Sequence, residues 1–354
     1  MLEPRYYMML YYAVLMLLTI YYASKYNIHN EFQNKKISSV YVFLLFCFIA
    51  FRPITDKFGF GDTEVYARHL SFAQGMPINL EAKDLGFEVI QHFCSSYDVV
   101  VFFGLFAILY LVPQYFSCRK MFPDTYAVAF LILISSFSFI GYGVNGIRNG
   151  AAVSLVMLGM TYGPIPFKIF CFLIGASIHK SALLPILGYI LTLFYNKPKH
   201  YLVVWGGVLV LSLFFASSLS SILMAYDFFN DDRFSGYVYG SFEDMNTAMR
   251  TGFRFDFLAY SIIPMYIGYK YLKSTEDKIY NRLYCTYVVA NAFWLLTIYV
   301  PYNNRFAYLS WFLYPLLISY PYLKDYQTLS LTPITTIKRL IIINFLFTYL
   351  MWLR

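Results

Sequence analysis

The chain has 354 residues, of which 59% are hydrophobic and 13% charged, and its formal net charge at pH 7 is +8. A water-soluble domain of this size would expose too much apolar surface with such a composition, so the sequence indicates an integral membrane protein. The positive charge has to be divided between the two membrane sides before it points to any partner, and we expect no nucleic-acid partner.

Apolar runs recur along the chain, and a helix that crosses a bilayer needs about 20 residues. No run has the small-residue cleavage site of a signal peptide, so we expect permanent spans. The sequence predicts an all-α polytopic membrane protein with about 12 transmembrane helices in a single membrane domain over residues 1–354. The spans are predicted near residues 6–23, 37–51, 99–117, 125–142, 147–163, 165–179, 181–195, 202–224, 256–272, 283–300, 306–323 and 337–353.

Two connections between predicted spans are long and acidic, residues 52–98 and 225–255. The positive-inside rule places both connections outside. There we expect them to cover the functional site. Alternating the other loops then gives the cytoplasmic side 12 Lys and 3 Arg, and the outer side 9 Arg and 3 Lys. Because the planar guanidinium group donates two parallel hydrogen bonds to phosphate or carboxylate oxygens, the outer face is predicted to bind an anion.

The first outer loop begins with Arg52 at the end of a span and continues into a predicted short helix. Asp62 is expected to cap that helix, and Glu64 and Arg68 can pair one turn apart. A solvated surface helix would explain these residues. The alternative is that Asp62 or Glu64 deprotonates an attacking hydroxyl above a cavity in the membrane.

The segment GYGVNGIRNGAAVSL, residues 141–155, carries Arg148 with no acidic residue nearby in sequence. Its glycines formally match the dinucleotide pattern GxGxxG, but they follow an apolar run rather than a strand, so we reject that interpretation. The glycines are instead predicted to break a helix, so that a new helix starts at Ile147 with Arg148 in its first turn. Such a helix end favours anions, although an arginine that anchors its span at the interface is the alternative.

Three further outer positions carry cations at predicted helix ends. His179 lies in IGASIHKSALLPI, where it could exchange a proton near neutral pH or belong to a plain polar turn. Arg254 and Arg305 precede later spans, and we expect them to reach the same anion as Arg52 and Arg148. Tyr66, Tyr142 and Tyr302 are candidates for stacking on sugar rings, although most aromatic residues should face lipid.

The five cysteines are scattered and form neither a CxxC pair nor a cluster with histidine. We therefore expect no metal site, no disulfide framework and no cofactor.

Several short pieces of the sequence follow one another with characteristic loop lengths: Phe51–Arg52, Gly61–Asp62 with Tyr66, Gly86–Phe87, Asn145 with Ile147–Arg148 and Ala152, His179 with Ser181–Leu183, and Asn304–Phe306 with Tyr308. In this order they resemble the EpsG-type family of polysaccharide polymerases, which are related in role to Wzy O-antigen polymerases. An acidic-Pro-Gly-Phe pattern expected near residue 85 reads Asp84-Leu85-Gly86-Phe87 here. The missing proline leaves the role of Asp84 open.

The resemblance implies a multi-pass glycosyltransferase of the bacterial cytoplasmic membrane with a GT-C-like architecture. It would act on undecaprenyl-pyrophosphate-linked repeat units at the outer face, with a chain-length regulator and a flippase as partners. Its product would be an O-antigen, a capsule or an exopolysaccharide. The family function agrees with the outer arginines, because negative charge builds on a departing lipid pyrophosphate.

The expected reaction moves the growing glycan from its carrier to a sugar hydroxyl of the next lipid-linked unit, without a metal ion. Arg148, helped by Arg52, Arg254 and Arg305, is predicted to bind the pyrophosphate. Asp62, Glu64 and His179, in that order, are the candidates for the base. Two alternatives remain at this stage: an O-antigen ligase-type transferase, and a flippase or transporter for the lipid-linked oligosaccharide.

Overall fold

The computed structural model describes residues 3–25, 31–215, 253–299, 303–324 and 331–353. All regular structure in these ranges is helical, as the sequence predicts. The chain divides into two compact units, one formed by Met1–Ala182 with Ile318–Arg354 and the other by Leu183–Leu317. Each unit is described by itself below.

The first unit contains the candidate site. Its helices are α1 (Pro4–Lys25), α2 (Glu31–Ala50), α3 (Thr63–Ala73), α4 (Leu85–Cys94), α5 (Val99–Met121), α6 (Tyr126–Ile134), α7 (Phe137–Ile140), a π-helical turn (Gly141–Asn145), α8 (Ile147–Thr161), α9 (Ile165–Ile178) and a 3₁₀ turn (Lys180–Ala182). The second unit contains α10 (Leu183–Phe194), α11 (Pro198–Phe214), α12 (Phe255–Ser274), α13 (Lys278–Leu296) and α14 (Asn303–Trp311). The chain then continues through α15 (Tyr314–Leu323) and α16 (Leu331–Leu353).

Three helices in the described ranges are long and apolar enough to cross a membrane, within Pro4–Ser24, Val99–Met121 and Thr335–Leu353. A fourth crossing results if the bent pair Tyr126–Ile134 and Phe137–Asn145 forms one span. Shorter apolar helices, which include Ile165–Ile178, lie at other predicted spans. The structure therefore has the helices of a membrane protein, while the number of about 12 spans stays an expectation.

The predicted span over residues 125–142 is bent, because its two helical parts, Tyr126–Ile134 and Phe137–Asn145, meet at an angle of 69°. The hydroxyl groups of Ser135 and Ser136 bond back to carbonyls of α6, which competes with continuation of the helix. Asn344 of α16 donates to the carbonyl of Ile132 and to the Ser135 hydroxyl. These bonds satisfy polar groups that the break would otherwise leave buried and unpaired.

The predicted span at 306–323 is likewise divided, into α14 and α15. In contrast, α8 packs inside the first unit as its small residues predict. Ala151, Ala152 and Ser154 are fully buried. Gly175 of α9 lies so close to the Ala152 carbonyl that a Cβ there would be 2.9 Å from the oxygen. Small side chains on both helices allow this approach.

Candidate active site

The helix break predicted from the glycines is present, and it takes the form of a π-helical turn, Gly141–Asn145. The amide of Gly146 donates to the carbonyl of Gly141 at 2.8 Å, five residues back. Next, α8 begins at Ile147, which puts Arg148 in its first turn as expected. The amide groups of this turn and the helix dipole add partial positive charge beside the guanidinium.

Arg148 has an acidic partner that the sequence does not place near it. Its Nη1 lies 3.1 Å from Oδ2 of Asp84, which precedes α4. The two side chains are 19% and 13% exposed. Arg148 has no acidic residue nearby in sequence, but the fold brings Asp84 to it from 64 residues away.

Asp84 accepts hydrogen bonds from three groups. Besides Arg148, Nδ1 of His179 lies 2.9 Å from Oδ2, and the backbone amide of Lys180 donates to Oδ1 at 3.0 Å. Burial alone would raise the pKa of Asp84. The bond and charge of His179, the Lys180 amide and the charge of Arg148 outweigh burial and hold the pKa below the ordinary 3.8. Asp84 is therefore ionised at neutral pH.

The contact with Asp84 also fixes the state of the His179 ring. An ionised carboxylate can only accept, so Nδ1 of His179 must carry the proton that it donates to Asp84. In the neutral ring, Nε2 then has a free lone pair that can accept a proton. The tautomer assigned from this bond makes His179 a candidate general base, oriented and stabilised by the partly buried carboxylate of Asp84.

The local sequence explains why Asp84 reaches the end of α9. Leu85 is the first residue of α4, the position that a proline also favours, so the missing proline does not change where the helix starts. At Gly86, α4 contacts α9 so closely that a Cβ would lie 2.9 Å from the carbonyl carbon of Ser177. This contact brings Asp84 up to His179, two residues beyond Ser177.

Aromatic rings form a surface beside the Arg148 guanidinium. Its Cζ lies 5.0 Å from the centre of the Phe87 ring. Phe87 in turn packs against Tyr66, Phe102 and Phe106, with ring centres about 6 Å apart. A guanidinium between an aromatic face and a carboxylate has few positions available, so these contacts orient Arg148.

The hydrogen bonds of Arg52 in the described residues go to backbone carbonyls and not to Asp84. Arg52 is 3% exposed, and its Nη1 donates to the backbone carbonyls of Ile49 and Gly143 at 3.0 and 3.4 Å. Its Cζ lies 3.7 Å from the centre of the Phe103 ring. Its predicted role as a pyrophosphate ligand stays a prediction.

The two carboxylates ranked first as bases differ from His179 in their setting. Asp62 precedes α3, but its side chain does not cap the helix, which corrects that expectation. Its backbone amide donates to Oδ1 of Asn145 at 2.9 Å. Glu64 pairs with Arg68 at 3.7 Å, as the spacing predicts, and both side chains are about half exposed or more. Neither carboxylate joins the cluster around Asp84 in the described hydrogen bonds and ion pairs.

The tyrosines predicted to stack on sugars have no demonstrated role. Tyr66 and Tyr142 are buried, 4% and 3% exposed. Tyr302 lies outside the described residues. Stacking on sugar rings stays a prediction for all three.

The second unit contains Arg254 and Arg305. Arg254 forms a two-bond ion pair with Asp256, at 2.9 and 2.7 Å, and its Cζ lies 3.6 Å from the centre of the Phe257 ring. The hydroxyl of Tyr308 is close enough to both arginines to interact with their charges. Their assignment to the pyrophosphate stays a prediction from sequence.

Asp84 is the residue that reasoning from the sequence left unassigned. It is 64 residues from Arg148 and 95 from His179, so no local spacing connects the three. The only signal was its place in the Asp84-Leu85-Gly86-Phe87 piece, which matches a family pattern except for one residue.

The chain matches a known protein family. The model of the EpsG family matches residues 40–354, which is most of the chain. No curated protein and no solved structure matches the chain.

Proposed function

Because the chain belongs to the EpsG family, we propose that it polymerises undecaprenyl-pyrophosphate-linked repeat units at the outer face of the bacterial cytoplasmic membrane. The family match supports a polysaccharide polymerase-type membrane protein. The lipid carrier, the membrane side and the direction of transfer are our proposal, and they rest on the charge distribution and on the cluster around Asp84.

The observation that carries the proposal is the cluster of Arg148, Asp84 and His179 at the start of α8. A glycosyl transfer of this kind needs a group that takes a proton from the acceptor hydroxyl and a cation beside the leaving group. The cluster supplies both groups, because the base His179 and the cation Arg148 contact the same carboxylate oxygen of Asp84. We therefore propose His179, rather than Asp62 or Glu64, as the base.

In the proposed reaction, the acceptor hydroxyl oxygen attacks the anomeric carbon of the growing glycan. The hydroxyl proton passes to Nε2 of His179, and the imidazolium that forms is stabilised by Asp84. The bond between the anomeric carbon and the pyrophosphate oxygen breaks, and the carrier leaves with the electron pair. Arg148 and the first amides of α8 stabilise the charge that develops on that oxygen.

The proposed architecture has about 12 spans and is GT-C-like, with the cluster facing the periplasm or the cell exterior. Within the first unit, the residues of the loop 52–98, the start of α8 and the end of α9 lie at one end, as their contacts with one another require. The alternating topology places these segments on the same side. A chain-length regulator and a flippase are proposed as partners from the family alone.

The test is glycan lengthening by protein purified in detergent, with a lipid-pyrophosphate-linked repeat unit as donor and acceptor. Wild-type protein should give a ladder of lengths, and R148K should lower the rate by about 10²-fold, because lysine cannot make the paired hydrogen bonds of arginine. R68K is the matched control. Arg68 pairs with Glu64 on the exposed side of α3, so this variant should keep the wild-type rate.

Each other outcome contradicts part of the proposal. A single capped product without a ladder indicates a ligase. Failure of the wild-type protein to lengthen glycan without a bilayer indicates a transporter. If an R148A protein inserts normally and still makes a full ladder, Arg148 has no role in the reaction.

A further inference from the structure

The last three residues of the π-helical turn are each bonded by a different residue between the end of α2 and the first residue of α3. Arg52 donates to the carbonyl of Gly143 at 3.4 Å. The hydroxyl of Thr63 lies 2.9 Å from the carbonyl oxygen of Val144 and 2.8 Å from that of Phe60, so its one hydrogen is shared between the π-helical turn and the residues before α3. The backbone amide of Asp62 donates to the side chain of Asn145 at 2.9 Å. These three bonds, here called the loop tether, connect segments that are more than 80 residues apart in sequence.

Two bonds of the loop tether, those of Arg52 and Thr63, are buried, and the third is partly buried. Thr63 is 0% exposed and Arg52 is 3% exposed. Nε and Nη2 of Arg52 have no hydrogen-bond partner in the described residues. Burying a cation with two open donors costs free energy, so a plain structural filler would not need arginine at this place. Arginine is explained at position 52 by its contacts: Nη1 donates to two carbonyls, and the guanidinium lies against the Phe103 ring.

Gly61 allows the third bond of the loop tether. Its φ of +52° is in the left-handed region that favours glycine, and a Cβ there would overlap the side chain of Asn145. The chain can therefore pass directly over Asn145 and present the Asp62 amide to it.

The loop tether ends three residues before Arg148. A π-helical turn inserts one extra residue into a helix and rotates the helical segment after it, and such turns are frequent at functional sites. The turn Gly141–Asn145 therefore determines in which direction the first turn of α8 presents its side chains. The bonds that hold Gly143, Val144 and Asn145 also fix the position of the Arg148 guanidinium relative to Asp84.

We propose that Thr63 and Arg52 are positioning residues, which hold the π-helical turn and thereby place Arg148 for the reaction. The proposal rests on the proposed function where it concerns catalysis. It gives Arg52 a role different from a direct pyrophosphate ligand, and it gives Asp62 a role through its backbone amide rather than as a base.

The cleanest variant is Thr63→Val, which keeps the side-chain shape and removes the hydroxyl. We expect kcat to fall by on the order of ten-fold with KM nearly unchanged, because a small displacement of Arg148 weakens binding of the transition state more than of the substrate. Thr63→Ser restores the hydroxyl and should recover most of the rate.

Thr161→Val is the matched control. Thr161 is a buried threonine at the other end of α8, where its hydroxyl lies 2.9 Å from the Met157 carbonyl of the same helix and 3.1 Å from the Ser117 hydroxyl of α5. Both valine variants remove one buried hydroxyl group together with its hydrogen bonds. The proposal is wrong if T161V and T63V lower kcat equally, or if T63S fails to recover the rate.

A second measurement does not depend on catalysis. The coupling between Arg148 and Asp84 is obtained from the melting temperatures of wild type, R148Q, D84N and the double variant, once in the wild-type background and once with T63V. We expect T63V to halve this coupling or reduce it further, and an unchanged coupling overturns the positioning role. If the wild-type protein makes no ladder but the coupling falls, the proposed function fails and the positioning role stands.

Discussion

At the residue scale, the structure turns one unassigned carboxylate into the centre of the candidate site. Asp84 holds the guanidinium of Arg148 and the ring of His179 through the same oxygen. A base and a cation that share one acceptor are fixed relative to each other. Fixed geometry of this kind is what a transfer reaction needs, since the groups then require little reorganisation in the transition state.

Asp84→Asn tests whether this carboxylate stabilises the fold through its charge. The pKa of Asp84 is below its ordinary 3.8, so the ionised form stabilises the native state; this stability is complete above 3.8 and is lost as pH falls through the lowered pKa. At neutral pH, D84N should lower the free energy of unfolding by about 1–3 kcal/mol, because Arg148 loses its charged partner. Thermal unfolding in detergent between about pH 7 and about pH 3 measures both effects.

The variant should also flatten the dependence on pH in the acid range. E64Q is the control, because the exposed pair of Glu64 with Arg68 contributes little. A D84N protein with the wild-type melting curve at every pH would show that the charge of Asp84 stabilises nothing.

How far the sequence predicts the site depends on the range of each interaction. The first turn of α8 and the pair of Glu64 with Arg68 follow from local spacing, and both are present. The partner of Arg148 does not follow from it, because Asp84 reaches Arg148 only after α4 has packed on α9. The tautomer of His179 depends on the same long-range contact.

At the element scale, the contact of α4 with α9 determines whether the cluster forms. Gly86→Ala should separate the two helices, since the new Cβ would lie 2.9 Å from backbone of Ser177. We expect a loss of about 1–3 kcal/mol in the free energy of unfolding and a lower rate of glycan lengthening.

Gly206→Ala is the matched control for G86A. Gly206 lies within α11, and nothing lies within 4 Å of a Cβ built there. Alanine at this position should be neutral or stabilise the helix by about 0.5–1 kcal/mol. A G86A protein as stable and active as G206A would contradict the close contact.

Helix breaks are a part of the fold that composition does not predict. The run from Tyr126 to Ile140 is typical of one apolar span, and only three serines, Ser135, Ser136 and Ser138, interrupt it. The bend is stabilised because Asn344, 209 residues from Ser135, supplies a donor at the break. No local sequence pattern predicts a partner so distant, and for this reason the sequence does not predict the bend.

At the scale of the whole molecule, the proposal needs the cluster on the outer side of the membrane. Glu64 lies at the site end of the first unit, and Asp124 follows the opposite end of α5, a helix about 35 Å long. Both residues are exposed. In intact cells, a membrane-impermeant thiol reagent should label E64C and should label D124C only after permeabilisation. Labelling of D124C but not of E64C in intact cells would show that the topology is the opposite of the proposed one.

Glycan transfer by this protein requires Arg148 and His179 to act together, if the proposed reaction is correct. The most direct measurement is kcat for glycan lengthening by purified wild type, R148K, H179Q and the double variant. We predict that each single change lowers kcat by about 10²–10⁴-fold, and that the double change lowers it little further, because the two residues act as a unit. A wild-type rate in either single variant, with normal folding and insertion, would contradict the account.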